Sequence, residues 1–188
     1  MLDKVVFSCY NESMCSILDK AIRRVPNFPK HGILFYDITS VLTNPEACGY
    51  CIDSMEKMYR NSKIDAIAAV ESRGFVFASP LADRLKLPLV LIRKKGKLPG
   101  AVYSEEYSLE YGTSTVEMQK CDIQEGMNVL VIDDLIATGG TLKAVKRLVE
   151  TAGGKVIGFF GVIGLPFLNY KQELAPVEVQ TLINFDSE

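Results

Sequence analysis

Asp133 and Asp134 follow four branched apolar residues, Val129 to Ile132, and precede the run Ala137-Thr138-Gly139-Gly140-Thr141. Such a run suits an anion. Glycines let backbone N–H groups come close, and the start of a helix adds partial positive charge. The hydroxyls of Thr138 and Thr141 can donate further hydrogen bonds. Two carboxylates would repel a phosphate, so they suit either the hydroxyls of a sugar attached to it or a divalent cation beside it. Phosphate plus adjacent diol describes a ribose 5-phosphate. The plain structural alternative is a strand, turn and helix with two solvated aspartates. Neither the Gly-Lys-[Ser/Thr] ending of a Walker loop nor Gly-x-Gly-x-x-Gly is present in the stretch.

Other groups can serve the same chemistry. Glu71-Ser72-Arg73-Gly74 offers backbone donors, a hydroxyl and a planar cation, a set able to hold a diphosphate. Arg93-Lys94-Lys95-Gly96-Lys97 concentrates four cations on a slightly acidic chain. It reads either as an anion site or as a solvated turn. Glu110, within Tyr107–Gly112, can trade a proton with a bound base if its loop closes and excludes water. His31 is the sole histidine and has no evident partner for a triad. The five cysteines show no disulfide framework, and Cys48-Gly49-Tyr50-Cys51 continues the apolar spacing of a helix opened by Asn44-Pro45-Glu46.

These groups need a frame that brings strand ends together. Val129–Ile132 suits a strand buried on both faces, followed by a helix with Leu142, Val145, Leu148 and Val149 on its apolar side. Asp65–Val70, Pro88–Ile92, Thr113–Met118, Lys155–Ile163 and Val177–Ile183 are further predicted strands. Helices are predicted over Glu12–Arg24, from Asn44 to about Arg60, around Phe77–Leu85 and from Leu165, with a loop at Val25–Gly32. Alternating strands and helices imply an α/β fold: a central, twisted parallel sheet flanked by helices. In open sheets of this kind ligands bind at the carboxyl ends of the strands. Residues 1–188 are expected to form one domain. A small hood from about 25–40 and 164–188 would cover the strand ends, and 98–112 would be a mobile loop.

A net charge of −2, 48% hydrophobic and 23% charged residues fit a soluble globular chain with no general pull toward nucleic acid or membrane. The longest apolar run, Val156–Leu168, is too short for a bilayer span and is broken by glycines and Pro166. Asp3 and Lys4 interrupt the N-terminus before any signal-like stretch. The expectation is a cytoplasmic protein.

The stretch from Val129 to Thr141 resembles the phosphoribosyl-diphosphate (PRPP) signature of the type I phosphoribosyltransferases. Phe28–Phe35, Glu71–Phe75, Ile92–Gly100 and Tyr107–Gly112 are similar, in order and spacing, to the adenine-specific branch of that family. Ala137 agrees with that branch, since hypoxanthine-guanine relatives carry an aspartate there. The resemblance implies the reaction of adenine with PRPP to give AMP and diphosphate, with Mg²⁺, in a homodimer. It implies that Asp133 and Asp134 hold the ribose hydroxyls, and that Ala137, Thr138, Gly139, Gly140 and Thr141 wrap the 5′-phosphate. Ser72 and Arg73 would receive diphosphate, on a turn that in relatives contains a non-proline cis peptide. Arg93, Lys94 and Lys97 match a cationic segment, part of which reaches the neighbouring subunit's site. Phe35 would stack on adenine with Leu165 opposite, and the Leu34 backbone would read the base edge. Glu110 matches the general acid/base, and Tyr111 closes with it. Mg²⁺ would be carried mainly by diphosphate and ribose, with no direct protein ligand. The chain departs from the pattern at Tyr36, where many relatives have arginine, and at Glu71, where aspartate is commoner.

Overall fold

A computed structural model of the chain describes residues 17–108 and 112–187. The first half runs through β1 (Arg23–Pro26), β2 (Leu34–Asp37), α1 (Thr39–Leu42), α2 (Pro45–Tyr59), β3 (Ala66–Val70), α3 (Gly74–Leu85) and β4 (Leu89–Lys94). The hairpin β5 (Val102–Ser108) and β6 (Thr113–Gln119) comes next. The remainder is β7 (Asn128–Ile136), α4 (Gly140–Thr151), β8 (Lys155–Gly164), a 3₁₀ turn at Pro166–Leu168, α5 (Tyr170–Leu174) and β9 (Val179–Asn184).

Strand β3 is buried at every position, and β7 from Val129 to Ile132. A strand without a polar face must be covered on both sides. Helices α2 and α3 cover one face, over Ile67, Ala69, Leu130 and Ile132. Helices α4 and α5 cover the other, over Ala66, Ala68, Val129 and Val131. Spatially the strands run β5-β6-β4-β3-β7-β8-β9. The five from β4 to β9 are parallel, whereas β6 lies antiparallel to β4 and β5 antiparallel to β6.

Separately, β1 and β2 form a two-stranded antiparallel ribbon, Val25 opposite Phe35 and Arg24 opposite Tyr36. Side chains fasten it to the main body. Tyr36 is buried, stacks on Phe185 at 3.9 Å between ring centroids, and donates its hydroxyl to the Ser187 carbonyl at 3.0 Å.

Four expectations change. The first helix stops at residue 21 instead of Arg24, because Arg23–Pro26 gains ladder partners in β2 and the Arg23 N–H finds the Ser40 hydroxyl at 2.8 Å. The predicted loop Val25–Gly32 therefore begins as strand. Within 98–112, Val102–Ser108 is regular strand: it pairs with β6 over its whole length, burying Tyr103 and Tyr107 in part against the core. The last strand is an edge of the main sheet beside β8, and the tail from Phe185 meets the ribbon.

Candidate active site

Strand β7 outruns its neighbour on one side. It pairs with β3 only as far as Ile132, but with β8 as far as Ile136. Asp133 and Asp134 thus lie within the strand, not after it as the apolar run suggested, on a ledge past the end of β3. Asp133 lies against the start of α3, its Oδ1 3.3 Å from where a Cβ on Gly74 would stand. Helix α3 can start there because Gly74 has no side chain. A Cβ at that position would stand 3.0 Å from the Ile132 carbonyl oxygen and 3.2 Å from the Asp133 Cα.

The close approach of Gly74 delivers Arg73. Its Nε donates to Asp134 Oδ2 at 2.6 Å, while Nη1 and Nη2 bond to no described residue. Asp134 is 4% exposed. Burial opposes the Arg73 charge, but the bond to Asp134 and the charges of Asp134, Asp133 and Asp37 outweigh it and hold the guanidinium protonated. The Asp133 carboxyl is pushed well above the usual carboxylate range, first by burial and then by the charge of Asp134. Its Oδ1 accepts the Asp134 N–H at 2.8 Å. One acid is therefore neutralised by a cation and its neighbour is inclined to keep a proton. Ser72 is exposed, and the Glu71–Ser72 peptide is cis, as the resemblance implied.

Beyond the ledge, Ala137 and Gly140 are half-buried, Thr138 is exposed, and Gly139 is buried at the start of α4. Gly139 has φ 88°, and a Cβ would meet Leu174 Cγ at 3.1 Å, so only glycine fits comfortably. The Thr138 and Thr141 hydroxyls bond to no described residue. The first N–H groups of α4 have no intrahelical acceptor either. Hydroxyl and N–H donors are thus gathered at this turn.

A cavity of about 390 Å³ opens beside Arg73 and is lined by Val25, Phe28, Phe35, Asp37, Ile38 and Thr39. The rings of Phe28 and Phe35 meet edge to face at 5.0 Å. Of the residues expected around a base, Phe35 lines this cavity, whereas Leu34 and Leu165 pack partly buried against the core. Leu165 follows β8, its N–H bonded to the Ile136 carbonyl at 2.9 Å. Asp37 went unnoticed in the sequence. It accepts from the Thr39 hydroxyl and N–H, and those bonds hold its carboxyl below the usual range. The signal existed, since residues two apart on a strand share a face and Phe35 faces the cavity.

The basic stretch forms a turn clamped by two carboxylates: Glu71, which the sequence places only in its own turn, and Glu117, which the sequence reading does not single out. Glu71 accepts from Lys97 Nζ at 2.7 Å, the Lys94 N–H at 2.9 Å and Arg93 Nε at 3.3 Å. Glu117, buried, accepts the Gly96 N–H at 2.8 Å. Arg93 and Lys97 are therefore engaged within the protein, and Lys94 is exposed with no acidic partner among the described residues. A lone glutamate inside the apolar run Val116-Glu117-Met118 was the one visible hint. Glu110 and Tyr111 lie outside the described residues.

The family description "Phosphoribosyl transferase domain" matches residues 37–184. The adenine phosphoribosyltransferase of Treponema denticola is 59% identical over 172 residues, which are 92% of this chain and 90% of that protein. The chain belongs to the adenine phosphoribosyltransferase family. Its fold superposes on the crystal structure of the family member from Thermoanaerobacter pseudethanolicus with a TM-score of 0.87 and 44% identity, covering 91% of this chain and 99% of the other. The Saccharomyces cerevisiae family member, solved with adenine and an imino-altritol bisphosphate, gives a TM-score of 0.85 and 39% identity, with 91% and 99% covered. The central, mostly parallel sheet flanked by helices is the family's fold, and the chain is a transferase.

Proposed function

We propose that the protein transfers the phosphoribosyl group of PRPP to adenine, giving AMP and diphosphate, as a cytoplasmic, Mg²⁺-dependent, homodimeric enzyme of purine salvage. The observation that carries this reading is the ledge. Arg73, which lines the aromatic cavity, is anchored on Asp134, and the strand carrying Asp133 and Asp134 leads directly into the turn that starts α4. Among the described residues no helix is long and apolar enough to cross a membrane.

Thr138, Gly139, Gly140 and Thr141 would bind the 5′-phosphate through hydroxyls and helix N–H groups. Asp133 and Asp134 would accept from the ribose hydroxyls and fix the sugar's orientation. Breaking the bond from C1′ to diphosphate puts positive charge on the ribose and negative charge on the leaving group. Arg73 suits the leaving group, because its two terminal nitrogens bond to no described residue while Nε is anchored on Asp134. Lys94 adds a second cation. Adenine would stack on Phe35, with the Leu34 backbone at its edge and Leu165 across from Phe35, and present N9 to C1′. Glu110 would handle the proton near N7, and Tyr111 would close with it. Ala137 places no ionisable group near the base, which favours adenine over a 6-oxopurine.

Among the described residues no cluster of three or more His, Cys, Asp or Glu can hold a metal. Two carboxylates beside a diphosphate fit Mg²⁺, which prefers substrate phosphates, waters and few protein oxygens. Asp133 and Asp134 would hold it through the ribose hydroxyls. When bound, the ion supplies charge neutralisation on the leaving diphosphate.

Incubation with PRPP, Mg²⁺ and radiolabelled adenine should yield labelled AMP, with hypoxanthine a poor competitor. No product with adenine, or equal use of hypoxanthine, would overturn the reading.

A further inference from the structure

The Glu71 side chain is 9% exposed, and its acceptors are committed to three donors of the basic turn: Lys97 Nζ, the Lys94 N–H and Arg93 Nε. A carboxylate in such a place costs free energy unless it is paired. Its pairing also neutralises cations that an anion site would otherwise use. That arrangement makes sense if geometry matters there more than charge. Glu71 immediately precedes Ser72 and Arg73, and Arg93 to Lys97 lie on the next strand's end, since the Glu71 N–H bonds to the Ile92 carbonyl at 2.9 Å. A single side chain therefore spans the two elements that face the diphosphate. On the far side Glu117 holds the Gly96 N–H, and Arg93 Nη1 bonds the Lys97 carbonyl at 3.1 Å. The turn is thus fixed at both ends while Lys94 and Lys95 stay exposed without an acidic partner among the described residues.

We propose that Glu71 is a positioning residue for the diphosphate half of the site, setting the basic turn at a fixed offset from Ser72 and Arg73 so that both elements engage one diphosphate. The proposal rests on the phosphoribosyl transfer reading above. It differs from a stabilising role in its selectivity: loss of Glu71 should weaken PRPP and diphosphate but spare adenine.

Glu71→Gln keeps the shape and one acceptor for the Lys94 N–H but removes the ion pairs with Lys97 and Arg93. Charge-assisted hydrogen bonds of this kind are worth roughly a factor of ten or more in an equilibrium. Steady-state rates are measured with PRPP and adenine varied in turn, together with product inhibition by diphosphate. The expected result is that KM for PRPP and Ki for diphosphate both rise about tenfold, while KM for adenine stays within about twofold. Glu71→Asp, which restores the charge, should recover most of the PRPP affinity. An unchanged KM for PRPP in Glu71→Gln overturns the proposal. So does a parallel rise for both substrates, or Glu71→Asp no better than Glu71→Gln. Wild-type protein is run first in the same assay. If it makes no AMP, the reaction assignment fails and the proposal with it, whereas an active wild type with an unaffected Glu71→Gln overturns the proposal alone.

Discussion

Gly74→Ala adds one methyl group where the start of α3 lies against β7. The new Cβ would stand 3.0 Å from the Ile132 carbonyl oxygen, 3.2 Å from the Asp133 Cα and 3.3 Å from Asp133 Oδ1. Two of these three atoms are backbone in the middle of a sheet, so the helix has to yield. Overpacking of this type costs about 1–3 kcal/mol, which for a chain of this size is a fall in Tm of roughly 2–4 °C per kcal/mol. Activity should suffer more. Arg73 precedes Gly74 and reaches Asp134 at 2.6 Å, and a displacement of about 1 Å at a reacting site can cost on the order of 100-fold in rate. Gly49→Ala is the matched control. Gly49 lies inside α2, and a methyl added there would meet no atom within 4 Å, so alanine should stabilise by about 0.5–1 kcal/mol. Thermal melts and AMP formation on both variants test the reasoning. Gly74→Ala with unaltered Tm and kcat/KM, or both variants shifting Tm the same way, would refute it.

Other perturbations have distinct signatures. Glu110→Ala should lower kcat by about 100-fold or more, as expected for a lost general acid–base, with PRPP affinity by calorimetry retained; unchanged turnover removes Glu110 from the chemistry. Asp133 has its folded-state pKa raised, so the folded protein binds the proton more tightly than the unfolded chain, and stability falls as pH climbs from the ordinary carboxylate range through the raised value. Asp133→Asn should therefore lose activity yet melt no lower, and at pH 8 higher, than wild type, the gap closing near pH 4; a variant less stable at pH 8 contradicts that sign. Tyr36→Phe removes the bond to the Ser187 carbonyl and should cost about 1 kcal/mol with kcat preserved. A melt indistinguishable from wild type would mean that the Tyr36 hydroxyl contributes nothing to holding the tail.

Much of this was legible in one dimension. Apolar runs such as Ala66–Val70 and Val129–Ile132 have no polar face, so a doubly covered parallel sheet was the only economical home for them. The site was legible where a single stretch carries its own chemistry, as at Asp133 to Thr141. It was not legible where residues far apart in the chain meet. Nothing local says that Arg73 anchors on Asp134, or that Glu71 and Glu117 grip the turn between Arg93 and Lys97. Strand β5 was obscured because adjacent Glu105 and Glu106 dilute its alternation, and the Arg147 pairing with Glu105 that helps hold it is contributed by α4. Arg23 and Arg24 carry helix-forming propensity, and the ladder to β2 overrides it.

The β1–β2 ribbon and the seven-stranded sheet share no ladder hydrogen bonds. On the proposed function, the purine would lie against a flap fastened to the body by the Tyr36–Phe185 stack and the Tyr36 hydroxyl, while the sugar would sit on the sheet's ledge. If that function holds, a ribbon with a different lining would alter the guest while the pentose keeps its seat, and base choice and transfer would be separable on one scaffold.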